Sequence, residues 1–283
     1  MENPPDFVAV PGADGVEAWS VRRLPFEPKG SMLEFRSALR AALSALDTRI
    51  GRLRCAYSSA STDFCDAENV LLYNVGMSSF GRLTEHSVTF ERSHLVPTCP
   101  EPLSGPALHH LRYTTQSDTT FLHWQIGAEI AAVETATPRR VDKAADWWWA
   151  TRTGTRTMTG VDLTNQPYGL RIQIGGLDRS TASVLKPMLD GIVASLHRDD
   201  SPADETVTRL ATQLREAADD VRAQLMAPDA PLGQRLLVRP FRDGLQWNPA
   251  DDLCVACSVE NRGPAYPGVV RGQLLCVAPI SSP

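Results

Sequence analysis

Apolar residues return every three or four positions across residues 31–46, SMLEFRSALRAALSAL. Leu33, Phe35, Leu39, Ala42, Leu43 and Leu46 share one face, so the pattern predicts an amphipathic helix. Ser31 stands where an N-cap belongs, and Glu34 three residues on completes a capping box. The same period marks residues 180–196, where Val184, Leu185, Met188, Leu189, Ile192, Val193 and Leu196 form a continuous stripe. Residues 141–154, VDKAADWWWATRTG, are also helical in pattern, and 204–226 reads as one further amphipathic helix. Strand patterns occupy 15–24, 52–60 and 168–177, the block from 86 to 134 is rich in them, and three short β-like runs close the chain.

The order of these elements recurs. Residues 30–76 and 141–191 can both be written as strand, helix, strand and acidic element, without obvious residue identity. The expected fold class is therefore α+β, with two similar mixed-sheet halves, each with packed helices. Such a tandem pseudo-dimer would divide into residues 1–117 and 118–283. A single irregular α+β domain is the competing description.

Composition narrows the setting. With 283 residues, 42% of them hydrophobic and 22% charged, the chain can bury a sizeable core. No apolar run approaches the roughly 20 residues of a membrane span, and the N-terminus lacks the basic start and apolar stretch of a signal peptide. A cytoplasmic protein with no membrane partner is the expectation. Six cysteines are too few for a disulfide scaffold. The lone pair Cys254 and Cys257 lies on an alternating segment, which would send the two thiols to opposite faces of a strand. A net charge of −5 argues against a generic nucleic-acid coat, although residues 20–55 carry eight Lys/Arg against three acids. Only three lysines, Lys29, Lys143 and Lys186, stand among 28 basic residues. Those few would mark positions where a compact ammonium is not exchangeable for a guanidinium.

Lys186 belongs to the segment with the most chemical content, LKPMLDGIVASLHRDD (185–200). It places Lys186, Asp190 one helical turn later, and the pair Asp199 and Asp200 around one helix and its exit. In the first half, Asp66-Ala67-Glu68-Asn69 supplies an acidic cluster. Together these pieces resemble the RusA-type Holliday-junction resolvases. There a D-x-D-N at a helix start, a lysine one turn on, an acid four residues later and an acid pair beyond the helix build one site. Lys186, Asp190, Asp199 and Asp200 match the later part. The earlier positions are Ser180, Ala182 and Ser183, and Asp178 is out of register. Asp66, Glu68 and Asn69 resemble D-x-D-N with glutamate for the second aspartate, while the lysine position there is Leu72. The segment PFEPKG with Lys29 is similar to a proline-rich, lysine-containing segment near the start of that family.

The resemblance implies recognition of branched or structured DNA and Mg²⁺-dependent cleavage of a phosphodiester. Asp66, Glu68, Lys186 and Asp200 would be catalytic, and Asp66, Glu68, Asp190, Asp199 and Asp200 would be metal ligands, in one composite site. Carboxylates gathered closely repel and stay ionised together only beside a cation, and oxygen ligands suit Mg²⁺. Each acid also has a plainer reading. Asp66 and Glu68 fit a turn before a strand, Asp199 and Asp200 a solvated loop, and Lys186 with Asp190 an i,i+4 surface pair.

Two other sets of residues carry chemistry. Glu91, His94, His109, His110 and His123 fall on segments that read as neighbouring strands, and converging imidazoles with a carboxylate would suit zinc. His109 and His110 would point to opposite faces, so at most one can join such a site. Trp147, Trp148 and Trp149 span about 200° of a helix. One ring should then lie away from the core, where it would dock a protein partner or stack on a base; core packing with an interface between the two halves is the plainer reading. No Walker loop, GxGxxG turn, GxSxG elbow or HExxH helix is present. A catalytically inactive binding subunit and a metal enzyme using the histidine-rich block stand as alternatives to the nuclease.

Overall fold

The computed structural model describes residues 4–60, 65–115 and 120–280. The chain is α+β, built on one large mixed sheet. In chain order the elements begin with β1 (Phe7–Pro11), β2 (Gly15–Ser20), α1 (Ser31–Ser44) and β3 (Arg52–Ser59). A π-helical turn (Asn69–Tyr73) and two 3₁₀ turns lead to β4 (Ser87–Ser93) and β5 (His109–Thr115). Then come β6 (Trp124–Ala136), α2 (Ala144–Thr153), β7 (Thr155–Met158), β8 (Tyr168–Ile174) and α3 (Ala182–Ser195). Helices α4 (Asp204–Leu214) and α5 (Ala218–Met226) and the hairpin β9 (Val238–Phe241) and β10 (Gly244–Trp247) follow. The chain ends on β11 (Cys254–Asn261) and β12 (Val269–Pro279).

Ten strands form the sheet in the order β1-β2-β5-β3-β4-β11-β8-β12-β6-β7. β3 runs parallel to β4, and β8 parallel to β11. The remaining neighbours are antiparallel, including β4 with β11 at the centre. The alternation in β8 sends Leu170, Ile172 and Ile174 into the core and leaves Arg171 exposed and Gln173 partly so. One continuous apolar cluster joins Phe35, Leu39 and Leu43 of α1, Val70 to Leu72 of the π turn and the buried stripe of α3. A second gathers Trp148, Val207, Leu210, Val221, Leu225 and Leu237 between α2, α4, α5 and the hairpin strand β9.

Helices α2 and α3 approach so closely that only glycine fits at Gly191. A Cβ there would lie 2.4 Å from the Trp147 Cβ and 2.5 Å from the Ala144 carbonyl oxygen. This contact places the first two tryptophans in the core, the plainer of the two readings. Trp147 and Trp148 are fully buried, and Trp149 is half-buried against the second cluster. Trp147 also donates its indole N–H to the Val141 carbonyl at 2.9 Å.

Several local expectations change. Ser31 is the first helical residue and makes no cap. Its hydroxyl donates to Asp6 at 2.6 Å, and Gly30, with φ of 55°, occupies the N-cap. The segment read as one helix from 204 to 226 is two, because Arg215 takes a left-handed conformation and the chain re-enters a helix at Ala218. A register shift between Cys254 and Ala256 adds a residue to β11 and changes its side-chain parity. Cys254 and Cys257 therefore join the same buried cluster instead of facing apart. No helix among the described residues is long and apolar enough to cross a membrane.

Candidate functional site

The ammonium of Lys186 lies among four carboxylates from three separate stretches of chain. Lys186 and Asp190 share one face of α3 at i,i+4 spacing, with Nζ 2.9 Å from Asp190 Oδ1. Asp66 and Glu68 come from the segment entering the π turn, 3.0 Å and 3.7 Å from Nζ. Asp66 also accepts the Asn69 backbone N–H at 3.1 Å, a local cap that fixes its orientation. The fourth acid, Asp251, opens a 3₁₀ turn just before β11 and accepts from Nζ at 2.9 Å.

The turn carrying Asp251 is held from both sides. The Ala250 carbonyl accepts the buried Tyr168 hydroxyl at 2.8 Å, while the Ala250 N–H donates to His197 Nε2 at 3.3 Å. His197 must then keep its proton on Nδ1, which faces the Gly233 carbonyl at 3.3 Å. Burial holds this imidazole neutral by lowering its pKa to about 4. His197 thus acts as a neutral strut behind the site.

One cation cannot balance four carboxylates, and the electrostatics reflect this. Burial lifts Asp66 to about 7 even though the Lys186 ammonium pulls it down. Glu68 is driven well above the ordinary glutamate range by burial and then by the Asp66 charge, and burial also raises Asp190. Burial opposes the charge on Lys186, but the surrounding carboxylates override it and hold the ammonium firmly protonated. Both oxygens of Glu68 are buried without a hydrogen-bond donor, the nearer one 3.7 Å from Lys186 Nζ. Such orphaned acceptors are costly and mark a place where another proton or cation is wanted.

A raised carboxyl pKa sets the sign of the pH response. The folded protein holds a proton on Asp66 that the unfolded chain, with an ordinary value of 3.8, releases. That contribution is complete below the unfolded value and is lost as pH rises through about 7. Thermal melts in a chelating buffer are expected to show stability falling from about pH 4 to about 7 and levelling above, and Asp66→Asn should flatten the slope. An unchanged slope in that variant would show that Asp66 is not the titrating group.

The cluster opens on a cleft of about 860 Å³, whose walls include Arg23, Phe26, Tyr73 and Asn74 beside Asp66 and Lys186. Of the acids named from sequence, Asp66, Glu68 and Asp190 meet Lys186; Asp199 and Asp200 do not. Asp199 is buried and accepts the backbone N–H groups of Leu237 and Ser201, at 3.3 Å and 3.2 Å. Asp200 pairs with Arg198 at 2.9 Å. Both belong to the exit of α3, where local partners satisfy them. Asp251 takes the place expected of them.

The histidine-rich block does not converge. His109 Nδ1 meets the Tyr57 hydroxyl at 2.9 Å, whereas His110 Nε2 meets Glu17 at 3.2 Å and its ring packs on Trp19. Glu91 is consumed by the backbone N–H groups of Leu122 and His123, and His94 is exposed. Among the described residues no group of three or more His, Cys, Asp or Glu side chains forms a ready metal cage. At the acidic cluster the lysine ammonium occupies the shared centre. The basic stretch is also dispersed: Arg22 pairs with Asp6, Arg49 with Asp47, and Arg54 is buried. No family model matches the chain, and no curated protein matches it significantly in sequence.

Proposed function

We propose that the protein acts on branched or otherwise structured DNA and hydrolyses a phosphodiester there with the help of Mg²⁺. The observation that carries this reading is the orphaned, fully desolvated Glu68 carboxylate within a cluster of four acids around Lys186. The cluster offers only oxygen ligands and more negative charge than one ammonium neutralises, the ligand type a hard divalent cation takes, but a bound ion would have to displace Lys186 Nζ from the shared centre. Asp66, Glu68 and Asp251 would hold the ion. A bound ion would polarise a phosphoryl oxygen and make a water more acidic. Lys186 stabilises charge developing on the phosphate, and Asp190, one turn along the same helix, orients that ammonium.

We further read the chain as two diverged RusA-like halves, residues 1–117 and 118–283, joined in tandem. Connectivity supports this. The series β2, α1, β3, π turn, β4, β5 is matched in kind by β6, α2, β8, α3, β11, β12. The strand order β2-β5-β3-β4 is mirrored by β11-β8-β12-β6 across the central β4/β11 pair. On this view the π turn and α3 are equivalent elements. The first has kept the acids at its start and lost the lysine, and the second the reverse.

The test is nicking of a synthetic four-way junction. Wild-type protein is expected to cleave with Mg²⁺ or Mn²⁺, and Asp66→Asn or Glu68→Gln to lower the rate by roughly 100-fold or more. Salt-sensitive junction binding without cleavage in either metal would instead identify an inactive binding subunit. That second reading is favoured by the lack of a ready metal cage among the described residues. Absence of both binding and cleavage would end the nucleic-acid reading.

A further inference from the structure

The cleft beside the acidic cluster carries an aromatic feature that phosphodiester chemistry does not use. Phe26 and Tyr73 stack in parallel, with ring centroids 5.2 Å apart and planes only 7° from each other. Both remain open to solvent, 56% and 41% exposed, and both line the same cleft as Asp66 and Lys186. The pair is also fixed in place. Tyr73 ends the π turn whose approach carries Asp66 and Glu68. Phe26 sits between Pro25 and Pro28, and the Asn74 side-chain amide ties this loop to the π turn by donating to the Leu24 carbonyl at 2.8 Å. Arg23, exposed at the start of the same loop, brings a guanidinium to the cleft wall.

Resting on the reading of the site as a phosphodiesterase, we infer that Phe26 and Tyr73 form a platform for one unpaired nucleobase next to the phosphate held at Lys186. A flat, preorganised aromatic surface matches the π-face that every base presents, so stacking on it tolerates any sequence. Inside a continuous duplex that face is covered by the neighbouring base pairs. A base is free to stack only where strands branch, flap or open. The platform therefore selects DNA with an unpaired or extruded nucleotide over plain duplex, and Arg23 holds an adjoining phosphate.

The experiment measures binding without divalent cation, so that a failure of hydrolysis leaves its outcome interpretable. An oligonucleotide carrying 2-aminopurine at a single unpaired position reports stacking by loss of its fluorescence. Wild-type protein is expected to quench the probe and to bind it more tightly than the fully paired duplex. Phe26→Ala and Tyr73→Ala should each weaken binding about 5- to 150-fold and relieve the quench, and Tyr73→Phe should restore both. The exposure of both rings means that the alanine variants should melt as wild type does, which a thermal scan verifies. The inference is overturned if the double variant Phe26→Ala/Tyr73→Ala quenches and binds like wild type. It is equally overturned if wild type shows no preference for the unpaired probe. Quenching that depends on both rings, in a protein that never cleaves, would support the platform while removing the hydrolytic role.

Discussion

Replacing Lys186 with methionine is expected to cost the protein roughly 3–5 kcal/mol at mildly alkaline pH, the range for removing one partner of a buried ion pair. Methionine keeps most of the volume of the side chain, so the loss isolates the charge. Without the ammonium, Asp66, Glu68, Asp190 and Asp251 repel one another across a site where Glu68 is already without a hydrogen bond. The penalty should shrink as pH falls below about 7, because a proton then replaces the lysine on Asp66. Adding Asp66→Asn to the methionine variant should recover part of the loss, a non-additivity expected only of groups in contact. Chemical denaturation at two pH values checks each step. A methionine variant as stable as wild type at alkaline pH would mean that the cluster is already neutral without its lysine.

The fold was legible where periodicity was strong and local. Helix α1 and the stripe of α3 follow from their apolar spacing, and β8 from its alternation, although in α1 Leu33 of the expected face is exposed and Met32 is buried. The break between α4 and α5 was not legible. Leu210, Leu214, Val221 and Leu225 keep a helical spacing straight through it, and no Gly or Pro punctuates the left-handed Arg215. Ser31 and Glu34 form a capping box in sequence, but the hydroxyl is claimed by Asp6, 25 residues earlier and on another element. Strand order was beyond reach for a similar reason. β11 is inserted between β4 and β8, pairing segments more than 160 residues apart with no local signal.

Of the residues named from the sequence, the structure brings Asp66, Glu68 and Asp190 to Lys186 and leaves Asp199 and Asp200 elsewhere. Lys186 and Asp190 meet because i,i+4 spacing places them on one helical face. Asp66 and Glu68 meet the same lysine because the π turn and α3 pack in one core, which the sequence states only through the order of its elements. Asp199 and Asp200 have the spacing of a resemblance but not its geometry, since backbone N–H groups and Arg198 satisfy them first. Asp251 was hidden in NPADD, a sequence that reads as a turn. Its signal was an acid pair immediately before a buried strand end. The role of His197 depends on which ring nitrogen faces Ala250, a matter that only three-dimensional contacts decide.

The second large effect is expected from Trp147→Ala, about 3–5 kcal/mol, the range for emptying a large aromatic site in a well-packed core. Trp147 is fully buried on α2 where that helix touches Gly191, and Gly191 directly follows Asp190 in α3. One residue of α3 therefore presents a carboxylate to Lys186 while the next fixes the height at which the helix rides on α2. Alanine keeps the Cβ that faces Gly191, so the helices have no new clash, but the indole volume and its bond to the Val141 carbonyl are lost. If α3 settles into that space, Lys186 and Asp190 move relative to Asp66, Glu68 and Asp251. On the proposed reading of the site, junction cleavage should then fall more than the unfolded fraction explains at a temperature well below the melting point. Trp148→Ala provides the comparison, because Trp148 is as deeply buried but packs in the second cluster with α4 and α5. Equal activity losses in the two variants would deny Trp147 any part in setting the site.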